Sequence, residues 1–302
     1  MKEFFKFVFA SMIGVLLSVF VMFVLGILLV IGIVSTASNE SKVTIDDNTV
    51  LHLSLNYPIS ERTSKNPFQN LNFGGFETKS NLGLNDILEN IKEAKTDSRI
   101  KGIYVDVSAI QGGFASIEEI RNALIDFKKS GKFILAYSEV YTKGAYYLAS
   151  VADKIYVNPE GMVDFKGFST EIMFFKGALE KLDIEAQVIK VGTYKSAVEP
   201  YILDKMSKPN REQITSFLGS LYTHFLSNIA ISRKIPVDSL SAIANTAAVQ
   251  TATDAVKFRL VDGVKYKDEV LTELKSLCGI AQKKELRSVS ISDYTPQSKE
   301  LS

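Results

Sequence analysis

The stretch "IKGIYVDVSAIQGGFASIEEIRNALIDFKKSGKFILAYS", residues 100–138, decides the fold. Its opening, Ile100 to Ser108, is a short apolar run that reads as a buried strand. Residues 116–131 then repeat apolar side chains at helical spacing and end in a glycine, and residues 132–138 return to a strand. A strand, a helix of this length and a second strand form a right-handed βαβ unit, which joins parallel neighbours. The same rhythm extends both ways. Upstream lie a strand at 50–55 and an amphipathic helix at 82–97; downstream come a short helix at 143–152 and a strand at 154–159. The expected class is α/β, a parallel sheet covered by helices.

Composition narrows the chemistry. The chain has 302 residues, 46% of them hydrophobic, which is ample for a buried core. A formal charge of +1 with scattered basic residues offers no cationic face, so nucleic acid is not an expected partner. Cys278 is the lone cysteine, and His52 and His224 are the only histidines, which leaves almost no ligands for a His/Cys metal site. Both histidines fall in apolar stretches and read as packing or surface residues.

Residues 7–38 carry no charge at all, whereas about 20 apolar residues suffice for a helix to cross a bilayer. A cleaved signal is the rival reading, since Ser35 to Ser38 imitate a cleavage site. Its apolar region is only about 7 to 15 residues long, so a retained anchor is favoured. Lys2 and Lys6 precede the run while Glu40, Asp46 and Asp47 follow it, which places the N-terminus in the cytoplasm.

Residues 61–80, rich in Asn, Gly and Ser, read as a long exposed loop. Beyond Pro159 the pattern predicts a helix over 174–183, a strand over 185–192, a long helix over 208–234 and short helices over 239–247 and 251–262. Residues 285–302 lose their periodicity and read as a linker.

Two motifs suggest chemistry. In "VGTYKSAVEP", residues 191–200, Lys195 sits in a turn of small and hydroxylated residues just past the expected strand. A lysine acts as a base only when neutral, yet its ordinary pKa of about 10.4 leaves roughly one in a few thousand unprotonated at pH 7. Burial against apolar walls would be needed to bring it to about 7 to 8. Tyr194, Thr193 and Ser196 offer hydroxyls to orient a neutral amine, whereas a carboxylate at Glu199 held beside it would keep it charged. From the residues alone, Lys195 also reads as an ordinary solvated charge. Gly112 and Gly113, between a strand and a helix, form either a tight turn or a backbone cradle for an oxyanion.

"VGTYKSAVEP", supported by "YYLASVADKIYVNPEGMVDFKGFS" at residues 146–169, resembles the signal peptide peptidase A family, membrane-anchored serine peptidases with a Ser/Lys dyad on a ClpP/crotonase-like fold. The likeness is to the N-terminal half of the long, two-repeat form. It implies that Lys195 is the general base, accepting and returning the proton. The family's serine position falls on Lys143 in "TKGAYY", so the nucleophile is expected in a second repeat outside this chain. The organisation implied is a stub and anchor at 1–38, one peptidase repeat at 39–284 and a linker at 285–302. The oxyanion role of Gly112 and Gly113 is doubtful in the repeat without a serine.

The resemblance further implies no metal or cofactor, apolar substrates such as cleaved signal peptides, and a homo-oligomeric ring, expected as a tetramer. It places the protein in a bacterial inner membrane with the peptidase domain on the outer side. Tyr146, Tyr147, Phe174 and Phe175 would form apolar walls, or core and subunit contacts. The alternative is a membrane-anchored crotonase-like scaffold without activity.

Overall fold

Side chains that alternate across each strand divide the core in two, one part on either face of a parallel sheet. The computed structural model describes residues 1–37, 44–63 and 82–294. In chain order these hold α1 (Lys2–Ala37), β1 (Thr49–Leu53), α2 (Leu84–Thr96), β2 (Ile100–Asp106), α3 (Phe114–Lys128), β3 (Phe133–Tyr141), α4 (Lys143–Ala149) and β4 (Lys154–Val163). There follow α5 (Lys176–Lys181), α6 (Glu199–Ile202), α7 (Lys208–Arg233), α8 (Val237–Asn245), α9 (Ala252–Lys257), β5 (Gly263–Val264), α10 (Lys267–Leu277) and β6 (Ser288–Ser290). The strands lie in the order β5-β4-β3-β2-β1-β6, and every pair is parallel. This architecture fits the ClpP/crotonase-like fold.

Leu51, Ile103, Ile134 and Ala136 sit in register on one face with Ile155 and Val157, beneath apolar side chains of α2, α3, α4, α7, α8 and α9. The other face presents Val50, Tyr104, Leu135, Tyr137 and Tyr156 to Val270 and Leu274 of α10 and to Cys278. Cover on both faces is what an all-parallel sheet requires. Each aliphatic side chain so buried contributes about 1.5–3 kcal/mol. Burial also pushes the Cys278 thiol up to about 11, consistent with a packing role.

Polar side chains fix the edges of this stack. Asp262 accepts from the Ile155 backbone N–H at 2.8 Å and pairs with Arg233 at 3.0 Å, which ties the approach to β5 to both β4 and the end of α7. The Tyr146 hydroxyl donates to the Leu260 carbonyl at 2.8 Å. Asp97, after α2, holds Arg99 at 2.8 Å and accepts the Tyr294 hydroxyl at 3.0 Å.

Three expectations change. Residues 185–191 are irregular and pair with no strand among the described residues, because their apolar side chains find no sheet to join. Of the stretch read as a linker, residues 288–290 form β6 on β1, and Val289, Ile291 and Tyr294 are buried. The short edge strand β5 and the helix α10 add to the elements that the sequence reading named. Most of the expected loop at 61–80 lies outside the described residues. α1 is long and apolar enough over Lys2–Leu29 to cross a membrane and is unburied there, a property that membrane anchors and signal sequences share.

Burial works against the charge on Asp97, but Arg99, the Arg99 backbone and Tyr294 outweigh it and hold its carboxyl below the usual carboxylate range. A depressed folded-state value stabilises the fold above the ordinary pKa and is lost as pH falls through the folded one. Asp97→Asn should therefore destabilise the protein at pH 7, with the difference from wild type shrinking below about pH 4. Urea unfolding across pH 2 to 7 measures this; a gap that is independent of pH would contradict it.

Candidate functional site around Lys195

The connection from β4 to β5 leaves the core and returns through α7. Only the second half of α7 packs on the core, through Tyr222, Phe225, Leu226, Ile229 and Ala230, so its first half and residues 170–205 form a projecting arm. Within the arm, the Phe175 backbone N–H donates to the Pro200 carbonyl at 2.6 Å, and the Phe175 ring stacks on Tyr201 at 6.0 Å. The arm exposes Met173, Leu182, Ile184, Ile189, Val191 and Phe217.

Lys195 lies on this arm. The chain enters its turn through Gly192 at φ +101°, a conformation that side chains disfavour. The turn is closed by the Lys195 N–H on the Gly192 carbonyl at 3.4 Å, Ser196 on Tyr194 at 3.1 Å and Glu199 on Ser196 at 3.0 Å. The Lys195 side chain is exposed and has neither hydrogen bond nor ion pair among the described residues. It borders an open hollow with Ile189, Val191, Tyr194, Ser196 and Gln213. Ile189 and Val191 give this hollow apolar lining but are themselves exposed, and Lys190 shares it. Of the expected hydroxyl partners, Tyr194 donates instead to Glu212 at 3.4 Å.

Glu199 is buried, at 1% exposure. It accepts from the Ser207 hydroxyl at 2.6 Å, the Ser207 backbone N–H at 3.2 Å and the Asn210 side chain at 2.8 Å. Burial opposes its charge, but these donors, with Lys190 acting at longer range, hold its carboxyl below the usual range. Its carboxylate thus turns to α7 rather than to the amine.

Lys143 occupies a different place. It begins α4, pairs with Asp164 at 3.0 Å, and lines a separate cavity of 290 Å³ with Phe114, Gly144, Tyr147, Phe168, Ser169, Leu218 and Phe225. Gly113 caps α3 at an ordinary φ of −65°, so that position imposes no glycine on the backbone. Gly112 lies 3.5 Å from Ile59 when given a Cβ. Tyr146 and Tyr147 are core residues, whereas Phe175 belongs to the arm. His52 stacks on Tyr104 and bonds Asp106 at 3.2 Å; His224 bonds Glu118 at 2.6 Å, so both have structural partners.

Gly192→Ala forces a side chain into the disfavoured φ, at about 1–3 kcal/mol of local strain. Limited proteolysis should then cut the 186–198 segment several-fold faster while core unfolding is unchanged. Cleavage at the wild-type rate would show that the turn tolerates the side chain.

Residues 126–281 match peptidase family S49. "Protease 4" of Salmonella typhi is 35% identical over 223 residues, covering 70% of this chain and 35% of that protein. The chloroplastic serine protease SPPA of Arabidopsis thaliana is 30% identical over 216 residues, 72% of this chain and 32% of that protein. A putative signal peptide peptidase SppA of Enterococcus faecium is 24% identical over 246 residues, 81% and 66% respectively. The chain thus spans about a third of the length of the first two.

Proposed function

The chain belongs to peptidase family S49, and from that premise we propose that it is the base-bearing part of a membrane-anchored serine endopeptidase acting on apolar peptides such as cleaved signal peptides. The observation that carries this reading is the state of Lys195: an exposed amine without a partner among the described residues, beside Ile189 and Val191 in an open hollow, with the carboxylate of Glu199 engaged elsewhere. The nucleophilic serine is supplied by a second repeat, since Lys143, held by Asp164, stands at the family's serine position here. That repeat also covers the amine. Desolvation then disfavours the ammonium and yields a neutral base.

The reaction is acyl transfer. Neutral Lys195 takes the proton of the serine hydroxyl as its oxygen attacks the scissile carbonyl. The tetrahedral adduct collapses with cleavage of the C–N bond, and the ammonium returns its proton to the leaving amine. Water then repeats the sequence on the acyl-enzyme, with Lys195 again as base. α1 anchors the protein in a bacterial inner membrane, with the peptidase domain outside, so that the arm meets peptides released near the bilayer. The exposed apolar side chains of the arm pack between copies in a ring, as large unpartnered apolar patches do. One observation favours an inactive scaffold as the second reading: taken alone, the chain leaves Lys195 exposed to water.

In the full-length protein, a serine-reactive fluorophosphonate should label wild type at least 100-fold faster than Lys195→Ala, the usual reach of a general base. Residues 1–302 alone should not label. Equal labelling of the variant overturns the base, and labelling of the isolated chain overturns the divided dyad.

Ile189→Asp combined with Phe217→Asp places two charges on the exposed arm. Light scattering in detergent should show the tetramer falling to smaller species. An unchanged mass would remove the arm from the subunit contact.

A further inference from the structure

We infer that Glu199 is a positioning residue for the Lys195 base, its buried carboxylate locking the turn that carries the amine onto the first turn of α7. The inference rests on the proposal that Lys195 is that base.

A carboxylate taken out of water is costly unless its oxygens are satisfied, and most such groups recruit a cation. Glu199 has no ion pair within 4 Å among the described residues. It is satisfied by three neutral donors, all from residues at the start of α7. Ser207 is also the cap of that helix, its hydroxyl accepting from the Asn210 backbone N–H at 3.2 Å. One carboxylate thus joins the Lys195 turn to a helix whose far half is embedded in the core. Between Lys195 and Glu199 the backbone bonds from Ser196 to Tyr194 and from Glu199 to Ser196 leave little slack. Lys195 has no side-chain anchor of its own among the described residues, so the position of its Cα, and hence the reach of the amine, is set at Glu199.

The same bonds keep the carboxylate away from the amine. A direct Glu199–Lys195 pair would hold the ammonium charged and oppose proton abstraction. Committing both oxygens to Ser207 and Asn210 avoids that.

Substitution separates these roles from simple stability. A glutamine can place its oxygen where Oε2 accepts Ser207 and Asn210, with its amide facing the Ser207 hydroxyl, which can accept a further bond. Glu199→Ala leaves those donors without their acceptor. The test uses the full-length protein in detergent, with an apolar reporter peptide, fluorophosphonate titration of active sites and thermal unfolding. Glu199→Ala should lose at least about 10-fold in kcat per titrated site with KM within about twofold, a loss of the size that misplacing a reacting group produces. Glu199→Gln should return to within about threefold of wild type. Wild-type kcat per site in Glu199→Ala, or failure of Glu199→Gln to recover while folded, overturns the inference. Should Glu199→Ala not fold, Asn210→Ala decides: a drop of about threefold or more in kcat per site supports positioning, and no drop overturns it. Lys195→Ala is assayed in parallel. If it stays active the base assignment itself falls, whereas an inactive Lys195→Ala beside a normal Glu199→Ala removes only the role of Glu199.

Discussion

Every strand pair in the sheet is parallel, and that constraint shapes the rest. Parallel neighbours cannot be joined by a tight turn; each connection must cross a face of the sheet. Four of the five crossovers are single helices: α2, α3 and α4, which pack in the larger half of the core, and α10, which covers the other face. The crossover from β4 to β5 is a long excursion, residues 164–262, and only its return leg through α7, α8 and α9 packs tightly. The candidate base therefore lies on a connection that the core does not hold along its whole length.

Carboxylates do most of the fastening where apolar contacts thin out. Asp262 joins β4 to the end of α7, Asp97 joins the turn after α2 to the segment beyond β6, and Glu199 joins the Lys195 turn to the start of α7. In each case the acceptor takes more than one donor, which for the buried Asp97 and Glu199 is what makes the negative charge tolerable. Lys195 is the contrast. Its ammonium is left without a partner among the described residues.

The strands β1 to β4 were readable because each is a run of β-branched and apolar residues bounded by turn residues. β5 and β6 span two and three residues, too short for any period to register. Tyr294, whose burial secures β6, carries its signal in a contact with Asp97 that lies far away along the chain. Residues 185–192 misled for another reason. "AQVIKV" has the apolar content of a strand, but Ile189 and Val191 face solvent, and local pattern does not distinguish a sheet strand from a segment shaped for another surface. At the candidate site, Lys195 was legible through the motif around it. The setting of Glu199 was not: a carboxylate four residues from a lysine suggests a pair, and its actual partners lie eight and eleven residues downstream.

The half-embedded helix α7 has a mechanical side. From Ser207 to the first core-packed residue, Tyr222, the outer portion is about 22 Å long at helical rise. A lever of that length turns a tilt of about 4° at its root into a tip displacement on the order of 2 Å, while a misplacement of about 1 Å is already costly to a reacting group. The contacts of Phe225 and Ile229 with Tyr147, Phe165 and the rest of the core thereby act as a fulcrum. Their packing sets the angle of the lever, and substitutions there, far from any reacting atom, are amplified at its end.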